Sequence, residues 1–174
     1  MVVNGYHTLE DRDNFELIEQ NGPILCVRND AWLGIGYYFW DTNIDWGHEW
    51  GRKTYKKYVI FKAIISLINC YDLVGNVSDK SEFNQILNVL QEKQKNKNIK
   101  VSEVLEYMKK FTDFNYNTIR SAHFPDSTTK VSFGGKFNEF MFSNERVQIC
   151  VIKKNNLTLQ NFKVIYPDEY CEVI

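Results

Sequence analysis

Hydrophobic and polar positions divide the chain into short strand-like and helix-like stretches. Val2-Val3-Asn4-Gly5-Tyr6-His7 reads as a short strand ending in a polar tip. Residues 14–19 suit a short helix, closed by Asn21-Gly22-Pro23. Gly34-Ile35-Gly36-Tyr37-Tyr38-Phe39-Trp40 is a glycine-flexed turn running into an aromatic strand. Asp41, Thr42 and Asn43 then offer capping oxygens to a helix through Trp46 and Trp50, ending near Lys56. The apolar run 58–68 fits a buried helix or a strand. Its β-branched residues favour the strand, with Val59, Phe61, Ala63 and Ile65 on one face. Asp79 with Glu82 resembles a capping box for a helix over Phe83, Ile86, Leu87 and Leu90. Residues 93–100 read as an exposed connection. Ser102 is the expected cap of a second helix carrying Val104, Leu105, Met108 and Phe111 at helical spacing. Segments 130–133, 137–142, 147–153 and 162–166 read as strands. Strands thus frame the helices, an α+β pattern.

Composition narrows this picture. The 174 residues suit one domain spanning 1–174, without a linker or an internal repeat. With 21 basic and 22 acidic residues, bulk charge does not attract nucleic acid. The apolar runs fall short of the ~20 residues a membrane helix needs. No signal-peptide run follows Met1, so a cytoplasmic protein without membrane attachment is the expectation. Cys26, Cys70, Cys150 and Cys171 form no CxxC pair and read as buried free thiols.

Common catalytic motifs are missing. His48-Glu49 begins a zinc motif that fails at Arg52, and no metal is expected. Gly134-Gly135-Lys136 lacks the rest of a phosphate loop, and there is no GxSxG. Three other features stand out. His7-Thr8 ends the first strand, either as a hydroxyl-binding tip or as a plain cap. In Gly34-x-Gly36-x-Tyr38-Phe39 the glycines permit close approach of a flat ligand and Tyr38 can stack on it; a hairpin turn into a core strand fits equally. In Phe137-Asn138-Glu139-Phe140, followed by Gln148, a carboxylate interrupts an apolar strand, either facing solvent or kept for chemistry.

In this order the three features resemble the ADP-ribosyltransferase superfamily, in its His-Tyr-Glu branch shared by poly(ADP-ribose) polymerases and diphtheria-toxin-like enzymes. His7 matches the histidine of the family's His-Gly-Ser/Thr motif. Tyr38 matches the tyrosine of Gly-x-Gly-x-Tyr-Phe, and Glu139 the glutamate of Asn-Glu-Tyr. The tryptophan-rich stretch from Trp32 to Trp50 is similar to small bacterial and phage-defence members. Two positions depart from the pattern: Thr8 replaces the glycine after the histidine, and Phe140 replaces the tyrosine after the glutamate.

The resemblance implies split β-sheets flanked by helices, with NAD⁺ as substrate. His7, Thr8, Gly36, Tyr38 and Phe39 would bind it, with Tyr38 stacked on nicotinamide and His7 holding the adenosine ribose. Glu139 would be the catalytic acid, with Glu145 and Gln148 as alternates for that role. The loop 121–136, including His123, Asp126, Ser127, Thr128, Thr129 and Lys130, would meet the acceptor. That acceptor would be a protein, RNA or DNA, and a cognate antitoxin would restrain the enzyme as a partner. A degenerate module that binds NAD⁺ or ADP-ribose without turnover is the alternative, favoured by Thr8.

Overall fold

A computed structural model of the chain describes residues 1–95, 97–126, 128–134 and 140–171. The polar-tipped N-terminal segment extends into a nine-residue strand, β1 (Val2–Glu10). The next helix, α1 (Phe15–Asn21), ends at Gly22, whose φ of 84° reverses the chain. The aromatic run forms β2 (Tyr37–Asp41). In α2 (Ile44–Thr54), the Asn43 side chain accepts the Asp45 N–H as cap. The ambiguous apolar run is a strand, β3 (Tyr58–Ser66), and its predicted inner face of Val59, Phe61, Ala63 and Ile65 is buried. β4 (Cys70–Asp72) follows.

Two helix starts differ from expectation. α3 (Val77–Gln94) is capped by Asn76, which accepts the N–H groups of Ser78 and Asp79. Asp79 is instead turned inward, where it accepts the Asp72 N–H at 2.7 Å. α4 (Val101–Phe111) starts before Ser102. The Glu103 carboxylate reaches back to the Lys100 N–H at 2.7 Å, so the cap sits two residues earlier. The remaining strands are β5 (Thr118–His123), β6 (Lys130–Ser132), β7 (Phe140–Phe142), β8 (Arg146–Val151) and β9 (Leu159–Tyr166). The first three residues of the expected acceptor loop, 121–123, belong to β5. Ser121 and Ala122 pair with Gln148 and Val147 rather than looping freely.

Seven strands form one mixed sheet in the order β4-β5-β8-β2-β1-β3-β9, and β6 and β7 form a separate ribbon. Among the described strands, only β4 and β5 run parallel. With four α-helices among the described residues, the chain is α+β. Instead of the expected split sheets, the main strands form one continuous sheet that narrows at a waist between β1 and β2. β1 meets β3 from Val2↔Ser66 to Glu10↔Tyr58, but meets β2 only at Gly5↔Asp41 and Tyr6↔Trp40. Gly5 leaves room for side chains from both halves to meet across the waist. A Cβ there would lie 2.3 Å from Ile65 Cδ1 and 3.0 Å from Phe39 Cβ. Without it, Phe39, Ile149 and Val151 of one half pack against Ala63 and Ile65 of the other.

Two further clusters complete the core. Leu33, Tyr71, Val104, Leu105, Met108, Ile119 and Cys150 join α3 and α4 to the β4-β5-β8 half. Ile18 of α1 covers Val59, Phe61 and Val164 on the other half. Each fully buried large side chain contributes about 1.5–3 kcal/mol. The thiols do not share one fate: Cys150 is buried, Cys26 and Cys70 are half-buried, and Cys171 is exposed near the C-terminal end. No helix among the described residues is long and apolar enough to cross a membrane.

Candidate functional site

The waist of the sheet brings the first two sequence features together. Just past Tyr6↔Trp40, β1 and β2 part, and the His7 imidazole fills the notch. Its Nδ1–H donates to the Tyr38 carbonyl at 2.7 Å, and Nε2 accepts the Ile24 N–H at 3.4 Å. A carbonyl can only accept and an amide N–H can only donate, so the ring is neutral with its proton on Nδ1. Burial drives the His7 pKa down to about 4, and the Tyr38 carbonyl opposes this only in part. The ring packs 5.3 Å from Phe39 and 6.2 Å from Phe162.

Tyr38 presents its backbone to His7 and its side chain to the opposite face of β2. The ring packs on the cluster beneath α4. Its hydroxyl donates to the Gly34 carbonyl at 2.7 Å and accepts the Leu33 N–H at 3.0 Å. Burial raises its pKa, and the hydroxyl stays protonated. Gly34, at φ 86°, makes the turn that this hydroxyl closes. Gly36 lies against β8, where a Cβ would sit 2.3 Å from Cys150 Sγ and 2.9 Å from the Val151 carbonyl. The close approach at Gly36 is therefore made by the protein's own strand. Phe39 is 1% exposed, a core residue. The Thr8 hydroxyl donates to the Gly47 carbonyl of α2 at 3.1 Å and ties β1 to that helix.

β8 lies directly beside β2, pairing Cys150 with Tyr38 and Gln148 with Trp40. Gln148 Oε1 accepts the Trp32 indole N–H at 2.6 Å, across 116 residues of sequence. That bond holds the loop before β2 onto β8. Glu145 is exposed just ahead of β8. Glu139 and Ser127 lie outside the described residues. His123 ends β5 opposite Arg146, its ring 6.4 Å from Trp32. The Thr129 and Ser143 hydroxyls share a 2.6 Å hydrogen bond at the base of the ribbon. Asp126 and Lys130 are exposed, and Lys130 Nζ sits 4.1 Å from the centre of the Phe140 ring.

Two arrangements were not legible in the sequence. Arg146 bonds Glu49 of α2 and lays its guanidinium 4.6 Å from the Trp46 ring centre. Arg120 of β5 joins Asp41 Oδ2 at 2.6 Å and Asp72 Oδ2 at 3.3 Å. Asp41 is 4% exposed, and its Oδ1 has no hydrogen-bond partner among the described residues. No periodicity marks either arrangement, because each partner comes from a different element. Among the described residues, no three His, Cys, Asp or Glu side chains are grouped to hold a metal. No family model, curated protein or solved structure matches the chain.

Proposed function

We propose that this protein is a mono-ADP-ribosyltransferase that moves ADP-ribose from NAD⁺ to a macromolecular acceptor, acting as a toxin or phage-defence effector held in check by a cognate antitoxin. One observation carries the reading. The His7 and Tyr38 motifs, far apart in sequence, lie on the adjacent strands β1 and β2 and meet at the notch where His7 bonds the Tyr38 backbone, with β8, which carries Gln148, on the other side of β2. The reaction breaks the bond between nicotinamide and ribose as an acceptor nucleophile forms a bond to the same carbon. The electron pair leaves with neutral nicotinamide. Glu139 would stabilise the positive charge that develops on the ribose and take the acceptor's proton. His7, neutral at working pH, acts as a hydrogen-bonding group rather than a cation.

A second reading, a module that binds NAD⁺ or ADP-ribose without turnover, has its own support. Thr8 stands where the resembled family has a glycine, and its hydroxyl is tied to the Gly47 carbonyl of α2. Incubation of the protein with labelled NAD⁺ and protein, DNA and RNA acceptors separates the two. The expected result is label on an acceptor, lost in Glu139→Gln by a factor of about 10²–10³ with NAD⁺ affinity retained. NAD⁺ binding with neither label transfer nor nicotinamide release would select the second reading. Absence of NAD⁺ binding would reject both.

A further inference from the structure

We infer that the cleft between the end of α1, the turn at 154–158 and the start of β9 is a binding site for a neutral, hydroxyl-rich ring, the chemistry shared by a free sugar and the ribose of a nucleoside. The cleft has a volume of about 560 Å³, within the size range of small-ligand sites. Six carboxamides line it: Gln20, Asn21, Asn155, Asn156, Gln160 and Asn161. Three of them build its walls. Asn155 Oδ1 accepts from Leu157, Thr158 and the Thr158 hydroxyl; Asn21 bonds the Leu17 carbonyl, and Gln160 the Asn156 carbonyl. The side-chain amides of Gln20, Asn156 and Asn161 hold no hydrogen bond to another described residue. Each offers a donor and an acceptor, matching hydroxyl groups that do both.

Asn161 occupies the left-handed region at φ 52°, where the β3–β9 register breaks between Lys62 and Ile64. A strained residue at a strand irregularity re-aims a side chain, and here that residue lines the cleft. Phe162 supplies an apolar surface for a ring, its position fixed by stacking on Phe61 at 4.8 Å. The charge is wrong for a phosphate. Lys154 Nζ already donates to the Asn21 carbonyl at 3.2 Å and lies over the Tyr37 ring, and Glu19 lines the same cleft. His7 is not among the lining residues, although its ring lies 6.2 Å from that of Phe162, and the site does not require the transferase reading to hold.

Saturation-transfer NMR on the full chain, with adenosine and maltose as separate probes, tests the inference. At least one probe is expected to bind with a dissociation constant of about 1 mM or tighter. Asn161→Gly keeps the backbone conformation while removing the amide, and Asn156→Ala removes an exposed one. Each is expected to weaken binding about fivefold. Adenosine binding alone would identify a nucleoside ribose, and maltose binding alone a free sugar. Absence of transfer from both probes at about ten times that concentration, or transfer unchanged in both variants, would overturn the site.

Discussion

The buried imidazole of His7 makes stability depend on pH in a direction fixed by its surroundings. The unfolded chain protonates this histidine near 6.5, whereas the folded protein holds it neutral down to about 4. Between those values the unfolded state binds more protons, so stability falls as pH falls. The slope approaches about 1.4 kcal/mol per pH unit, and the sum across the window is about 3 kcal/mol. Above 6.5 the full contribution is present; below about 4 both states are protonated and this group adds no further loss. In His7→Gln the carboxamide can still donate to the Tyr38 carbonyl, but it does not titrate. Denaturant unfolding of both proteins from about pH 7 to about pH 4 gives the difference in which the other titrations cancel. The wild-type protein is expected to lose about 3 kcal/mol relative to the variant over that range. A difference constant to within about 0.5 kcal/mol, or an NMR titration of the His7 ring near 6.5, would refute the neutral, desolvated imidazole.

Three other substitutions probe the surrounding framework. Gly36→Ala forces a methyl group onto Cys150 Sγ and the Val151 carbonyl, with an expected cost of about 1–3 kcal/mol. Adding Cys150→Ala should recover part of the Gly36→Ala loss, and non-additive melting temperatures would show it. Asp41→Asn leaves Arg120 without its buried carboxylate and is expected to cost about 3 kcal/mol by denaturant unfolding; a change below about 0.5 kcal/mol would mean that Asp72 alone suffices. Tyr38→Phe leaves the Gly34 carbonyl and the Leu33 N–H unsatisfied, at about 1–3 kcal/mol. Faster amide exchange at Leu33 should accompany that loss, and unchanged exchange would contradict the closed turn.

Much of the local structure was legible along the chain because local patterns encode it. The β-branched run at 58–66 became β3 with its inner face as expected, since a period of two survives whenever one face is buried. The helix over Val104, Leu105 and Met108 followed its apolar spacing. Helix starts were less legible. Asn76, Asp79, Lys100 and Ser102 all lie near plausible caps, and the choice turned on tertiary contacts, as when Asp79 took the Asp72 N–H instead of capping. β4 and β5 escaped notice because each is short and its partner is remote. The candidate site was legible as motifs but not as geometry. The glycine pair reads as room for a ligand, yet Gly36 abuts β8.

The sequence by itself determined most of the strands and helices, β4 and β5 apart, together with the near-balance of charge and the order of the three motifs. These depend on periodicity and residue type, which are properties of neighbours in the chain. Only the tertiary structure decided that β1 and β2 part after two pairs, that His7 is neutral, and that Gly36 and Thr8 serve internal contacts. Those outcomes depend on desolvation and on contacts across tens of residues. Burial strips water from the imidazole while a carbonyl 31 positions away takes its proton's hydrogen bond, and no local pattern carries that information.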